Sequence, residues 1–204
     1  MGEMLLGHLK EDLQLIILRP TIILSTYEEP FPGWIEGMRT MDTFIVGYGK
    51  GKQKLAVAGR ETITDVIPAD MVVNSVISAM VAHRNPSSRT TVYHISSSRR
   101  NQIKIDDFIR NGVDYFKKNP WIDERGKPVK VKKFHLLDST DSLHKYIAIH
   151  YMPSLSFDDT NAEMLRMATR ESNANDTFNF DPTTIQWDKY LKETHIPGLV
   201  KYIF

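Results

Sequence analysis

Residues 13–21 read LQLIILRPT. Leu15, Ile16, Ile17 and Leu18 make a short, almost continuous apolar run that Pro20 ends, the pattern of a parallel strand buried on both faces. Immediately upstream, Met1, Met4, Leu5 and Leu9 fall at helical spacing, with no Ser, Thr, Asp or Asn before them as an N-cap. A helix without its start signal leads to the expectation that the polypeptide continues upstream of Met1. Helix followed by buried strand points to α/β. Downstream, residues 25–37 (STYEEPFPGWIEG) pack two prolines, two glycines, Tyr27, Phe31 and Trp34 into a loop at the strand's carboxyl end. In open α/β sheets ligands bind at that end. The competing reading is an ordinary Pro-rich connection whose aromatics enter the core.

The alternation continues to about residue 98. KLAVAG (54–59) has β character, and TDVIPAD (64–70) leads into a helix with Asp70 as its expected N-cap. Val72, Val73, Val76, Ile77 and Met80 are the expected buried face of that helix, and TTVYHIS (90–96) is a further strand. SSSRRNQ (96–102) reads as a polar connector. Residues 105–121 form an amphipathic helix carrying Phe108, Ile109 and Phe116, closed by Pro120. RGKPVKVKKFHLL (125–137) alternates lysine with Val129, Val131 and Phe134, as a strand or an extended surface arm. Thr160 with Glu163 is an expected capping box. Asp181-Pro182 is a turn before a helix bearing Ile185, Trp187, Tyr190 and Leu191.

Composition narrows the function classes. The 204 residues, 41% of them hydrophobic, are enough for a real core, and 26 basic against 25 acidic residues leave a net charge of +1. No global field points to nucleic acid, so none is expected as a partner, and a charged ligand must be met locally. The absence of cysteine removes thiol catalysis, disulfides and thiolate metal sites. No basic n-region precedes a long apolar stretch, so no secretory signal is read, and no run reaches the roughly 18 apolar residues of a spanning helix. Membrane association, if present, is expected to be peripheral. GYGKGK (47–52) lacks phosphate-loop spacing and reads as a turn. His135, His144 and His150 are spaced too widely to pair on a helical turn, so no metal site is expected. No serine carries the local signature of a strained nucleophile turn. Lys127, Lys130, Lys132 and Lys133 either meet phosphates of a nucleotide-bearing substrate or an anionic lipid surface, or shield an edge strand from aggregation.

Taken together, MGEMLLG, LRPTIILSTYEEPFPGWIEG, TDVIPADMVVN, FNFDPTTIQW and HIPGLVKYIF closely resemble the plant alcohol-forming fatty acyl-CoA reductases, which include the male-sterility proteins. The resemblance implies an α/β fold. Residues 1–98 would be the C-terminal half of a Rossmann-type extended short-chain dehydrogenase domain, 99–150 a linker and helical segment, and 151–204 a smaller, mainly helical C-terminal domain. It implies NADPH-dependent reduction of long or very-long-chain acyl-CoA, through an aldehyde, to a primary fatty alcohol and CoA, as in wax synthesis. The family's Tyr-x3-Lys pair, in which lysine lowers the tyrosine's pKa for proton transfer, would lie just before Met1, with the Gly-rich fingerprint further upstream. No catalytic residue is therefore expected within this chain, which alone is expected to be inactive and prone to aggregate.

Pro20 and Thr21 match the segment that meets the nicotinamide carboxamide, Thr21 offering an amide and a hydroxyl. Phe31, Pro32, Gly33 and Trp34 match the loop expected to line the acyl channel. Asp65 and Asp70 match a signature read as a turn and a helix cap. Relatives carry a longer segment between KVKKFHLLDST and YIAIHYMPSLSFDDTN than this chain does. The resemblance places the family in the endoplasmic reticulum or plastid. Two further readings are a non-catalytic acyl-binding or interaction protein that forms homo-oligomers or pairs with a full-length reductase, and a sugar-nucleotide epimerase. The FNFDPTTIQW block argues against the latter.

Overall fold

The computed structural model describes residues 2–85, 89–137, 156–171 and 177–203. The strand read from LQLIILRPT is present as β1, Leu15–Pro20, in parallel register with β6, Thr90–Ile95. The chain then steps at Thr21 into β2, Ile22–Leu24, parallel to β5, Val66–Pro68. β3, Leu55–Val57, runs parallel to β8, His135–Leu137, and β4, Ile63–Thr64, pairs antiparallel with β7, Ile103–Lys104. Leu15 to Leu18 are half-buried rather than buried on both faces, because β6 is the one strand laddered to β1 among the described residues.

Helices flank these pairs. α1, Gly2–Leu9, lies exposed along its whole length. α2, Thr40–Gly49, occupies a stretch in which the sequence pattern marked no element, and buries Met41, Phe44, Ile45 and Val46. α3, Ala69–Ala82, reverses the expected face. It buries Asp70, Met71, Asn74, Ser75, Ser78 and Ala79, and leaves Val73, Val76 and Met80 exposed. Small and polar side chains on this face admit neighbouring backbone, and Asn74 donates to the Asn179 carbonyl at 2.9 Å. α4, Ile105–Lys118, follows its amphipathic pattern, with Phe108 and Phe116 buried.

α5, Thr160–Glu171, begins where the capping box was expected but not through it. The Thr160 hydroxyl donates to Asp158 at 2.6 Å, and Glu163 turns to Arg166 at 2.8 Å. Arg166, 1% exposed, also donates to the buried Asp159. The expected polar connector is interior only in its first half: Ser96, Ser97 and Ser98 are buried, while Arg99, Arg100 and Gln102 are exposed.

The C-terminal segment is a 3-10 turn at Pro182–Thr184, α6 at Trp187–Lys189, a π-helical turn at Tyr190–His195, and α7 at Ile196–Tyr202. Its Tyr190, Leu191, Ile196 and Leu199 belong to the same core cluster as Leu24, Val66 and Ile67 of the strands. Asp181 opens the segment, accepting from the Thr183 amide at 2.9 Å and hydroxyl at 2.8 Å and pairing with Arg170. Burial pushes its carboxyl up, but the Thr183 bonds and the Arg170 and Arg166 cations outweigh it and hold it below the ordinary carboxylate range. A carboxyl depressed on folding stabilises above its unfolded pKa, about 3.9, and that contribution is lost as pH falls through the folded value. Stability should decline below about pH 4, and Asp181→Asn should flatten the decline; urea midpoints against pH measure both.

Candidate functional site

The end of β1 and the loop after β2 form the best-defined polar assembly. Thr21 has its amide committed to the Ile95 carbonyl at 3.1 Å, so it does not offer both groups as expected. Its hydroxyl is buried without a hydrogen-bond partner. Such a group is costly to leave without a partner. Pro20 beside it is exposed.

The loop 25–37 is held from three sides. Asp70 does not cap α3, whose N-cap is Pro68. Its carboxylate reaches across and accepts the amides of Tyr27 at 2.8 Å, Glu28 at 2.8 Å and Glu29 at 3.1 Å. Within the loop, the Thr26 hydroxyl donates to the Phe31 carbonyl at 2.7 Å and accepts from the Trp34 amide at 2.9 Å. Gly33, at φ +81°, lies against Gly198 of α7 so closely that a Cβ on Gly198 would stand 1.9 Å from the Gly33 oxygen. Asp65 plays a parallel part below the loop, accepting from the Ser96 hydroxyl at 2.6 Å and the Ser97 amide at 3.0 Å. Both aspartates thus pin backbone segments of neighbouring elements.

The aromatic pair does not enter the core. Phe31 and Trp34 are 44% and 36% exposed, with ring centroids 6.2 Å apart and Tyr202 5.8 Å from Phe31. Pro32 is exposed and Gly33 buried. The loop therefore presents an aromatic rim to solvent on a backbone fixed from below.

At its root lies a constellation that sequence spacing concealed. The Ser25 hydroxyl is 3.0 Å from His195 Nδ1, and His195 Nε2 is 3.2 Å from Asp42 Oδ1. The latter contact is within ion-pair reach but off the N–H direction, so neither atom counts as hydrogen-bonded. The Ser25 amide also donates to Nδ1, at 3.4 Å, which makes Nδ1 the acceptor in that contact. The Tyr190 hydroxyl donates to the Ser25 carbonyl at 2.6 Å; burial pushes its pKa well up, against the opposing pull of the Ser25 hydroxyl 3.3 Å away. Ser25, His195 and Asp42 are 0%, 0% and 1% exposed. A Ser-His-Asp chain with no access for a carbonyl is a clamp between the loop, α2 and the π-helical turn rather than a nucleophile. Ser25 and His195 are 170 positions apart, and no local signature joins them.

Other sequence motifs take no part. A Tyr-x3-Lys spacing does occur at Tyr48 and Lys52, but Tyr48 is 4% exposed and its hydroxyl donates to the Lys132 carbonyl at 2.9 Å. GYGKGK is the C-terminal end of α2 and the turn after it, not a strand-to-helix loop. His135 is exposed in β8, while His144 and His150 lie outside the described residues. Among the described residues no cluster of three metal-ligating side chains occurs, and no helix is long and apolar enough to cross a membrane.

Two family models, both described as male sterility protein, match residues 1–76 and 125–204. The chain belongs to the male sterility protein family. Over its whole length it is 38% identical to the alcohol-forming fatty acyl-CoA reductase of Simmondsia chinensis, and 36% identical to fatty acyl-CoA reductase 1 and probable fatty acyl-CoA reductase 4 of Arabidopsis thaliana. The chain spans about half the length of these relatives, 50% in each case. Another Arabidopsis member, 30% identical, is named fatty acyl-CoA reductase 2, chloroplastic. Among solved structures, UDP-N-acetylglucosamine 4-epimerase from Methanobrevibacter ruminantium M1 matches at a TM-score of 0.54 and 14% identity, over 98% of this chain and 50% of that one. UDP-glucuronic acid 4-epimerase from Bacillus cereus matches at 0.50 and 14% identity, over 94% and 47%. These likenesses give the fold alone, the Rossmann-type α/β fold of extended short-chain dehydrogenases, half of which this chain covers.

Proposed function

We propose that the chain is the part of a fatty acyl-CoA reductase that closes one side of the nicotinamide and acyl site, in an NADPH-dependent reduction of long-chain acyl-CoA to a primary alcohol and CoA. The observation that carries this reading is the buried, unpartnered Thr21 hydroxyl at the head of the clamped aromatic loop. Thr21, beside Pro20, receives the cofactor's carboxamide. Phe31, Pro32 and Trp34 line the path of the acyl chain, where aromatic rims suit hydrocarbon, and Gly33, buried against Gly198, seats them. NADPH supplies the hydride when bound; the chain's own residues orient the ring and exclude water from one side. Residues 1–98 act as the reductase portion, 99–150 as a connecting segment and 151–204 as the family's C-terminal domain. The compartment is the endoplasmic reticulum or plastid.

By itself the 204-residue chain does not turn over, since in its one Tyr-x3-Lys spacing Tyr48 is buried with its hydroxyl committed to the Lys132 carbonyl. The test is product analysis with an 18-carbon acyl-CoA and NADPH, together with tryptophan emission. No fatty alcohol is expected, and acyl-CoA should change emission in the parent chain but not in Trp34→Phe. Alcohol formation would overturn the inactivity, and an unchanged Trp34 signal would remove the loop from the acyl path.

A second reading, pairing with a full-length reductase, is favoured by apolar side chains left in solvent. Leu5 and Leu9 of α1 are 59% and 67% exposed, and Val73 and Met80 of α3 are 55% and 66% exposed. Co-expression with a full-length relative should then yield a stable mixed complex on size exclusion, and separate elution would end that reading.

A further inference from the structure

A chain with a net charge of +1 nevertheless gathers cations at one place. Arg60, Arg110, Lys117, Lys132 and Lys133 rim a groove of about 370 Å³ between α4 and the segment before β8, with Asp106 the single carboxylate in its lining. Arg60 is spent on Asp106 at 2.9 Å, and Arg110 on Asp107. Among the described residues no carboxylate pairs with Lys117, Lys132 or Lys133. Neighbouring ammonium groups without counter-charge repel one another, and a bound polyanion relieves this.

The edge-strand explanation of these lysines does not hold. Residues 129–134 belong to no ladder; the strand begins only at His135. The segment is instead fixed by the Tyr48 hydroxyl on the Lys132 carbonyl at 2.9 Å and by the Val129 amide on the Trp121 carbonyl at 2.7 Å. Lys132 and Lys133 are thereby carried on an anchored backbone. Beneath the rim the floor is apolar and half-buried, formed by Ile109, Val113, Val131 and Phe134. Ile109, Val113 and Phe134 also line a small apolar crevice of about 20 Å³ between α2 and α4.

A concave apolar floor under a cationic rim, at the lower end of the ~300–1,000 Å³ range of small-molecule pockets, suits a flat ring system bearing phosphates better than a bilayer surface. We propose that this groove binds the phosphorylated adenosine of coenzyme A, with Lys117, Lys132 and Lys133 on the phosphates and the base against Val131 and Phe134. The assignment rests on the acyl-CoA reading above and gives that substrate a handle separate from the aromatic loop. The cofactor's adenosine carries the same chemistry with its phosphate at the 2′ position, so the two isomers separate the sources.

The experiment is calorimetric titration of the full chain with 3′,5′-ADP and with 2′,5′-ADP, repeated for Lys132→Glu/Lys133→Glu and for Lys117→Glu. All three lysines are exposed, and thermal melts should confirm that each variant folds as the parent does. The expected result is binding of 3′,5′-ADP that weakens at least tenfold in the double variant, weakens less in Lys117→Glu, and falls with salt. Unchanged affinity in the double variant, or binding of 2′,5′-ADP in preference, overturns the proposal. So does lysine-dependent capture by phosphatidylserine vesicles with no 3′,5′-ADP binding, which would make the patch a membrane contact. If Trp34 ignores acyl-CoA while lysine-dependent 3′,5′-ADP binding persists, the reductase reading of the loop fails and the groove stands.

Discussion

Replacing Gly198 by alanine is expected to destabilise the protein by about 3 kcal/mol, although alanine is the better helix former by up to about 1 kcal/mol. Gly198 lies inside α7 with ordinary helical geometry, so propensity alone predicts a gain. Tertiary contact decides otherwise. The added Cβ would stand 1.9 Å from the Gly33 oxygen, 2.7 Å from its carbonyl carbon and 2.9 Å from its Cα. All three are backbone atoms, and no rotamer change moves them aside. Either α7 lifts or the loop 25–37 is displaced. Gly7 in exposed α1 is the control, because nothing lies within 4 Å of a Cβ built there; Gly7→Ala should be neutral or slightly stabilising. Denaturant midpoints of the two variants give the comparison, and equal stability of Gly198→Ala and parent would mean that loop and helix are not in contact.

Truncating Asp70 is expected to cost about 3 kcal/mol, from three amide acceptors lost at about 1 kcal/mol each. The lower value per bond applies because Glu28 and Glu29 sit at the exposed side of the loop, where water can replace part of the carboxylate. In Asp70→Ala the amides of Tyr27, Glu28 and Glu29 lose their acceptors together. Their hydrogen exchange should accelerate as a group while that of β1 and β6 stays slow. Asp70→Asn keeps one oxygen and should fall about halfway. Because the clamp sets where Phe31 and Trp34 stand, the Trp34 response to acyl-CoA should weaken in the same order. Unaltered exchange at residues 27–29 in the alanine variant would show that the carboxylate does not hold the loop.

These two tests lie where sequence reading and tertiary structure part. LQLIILRPT was legible as a strand because four successive apolar residues closed by proline leave few alternatives, and α4 because Phe108 and Phe116 recur at helical spacing. α3 was legible as a helix but not in orientation. Five apolar side chains marked a buried face, yet the contact surface is built of Asn74, Ser75, Ser78 and Ala79, since close helix packing selects for small volume as well as low polarity. Asp70 had the chemistry of a cap, and sequence distance hid that its acceptors face a loop more than forty residues earlier.

The sequence by itself determined the α/β class, the aromatic loop at a strand's carboxyl end, and family membership, because short-range apolar patterns and contiguous motifs carry that information locally. Only the tertiary structure decided that Thr21 has a free hydroxyl but a committed amide, that Ser25, His195 and Asp42 form a closed clamp, and that five cations meet over one apolar floor. Each depends on residues distant along the chain. Their meeting is set by how strands and helices pack, a geometry that no single stretch of residues encodes.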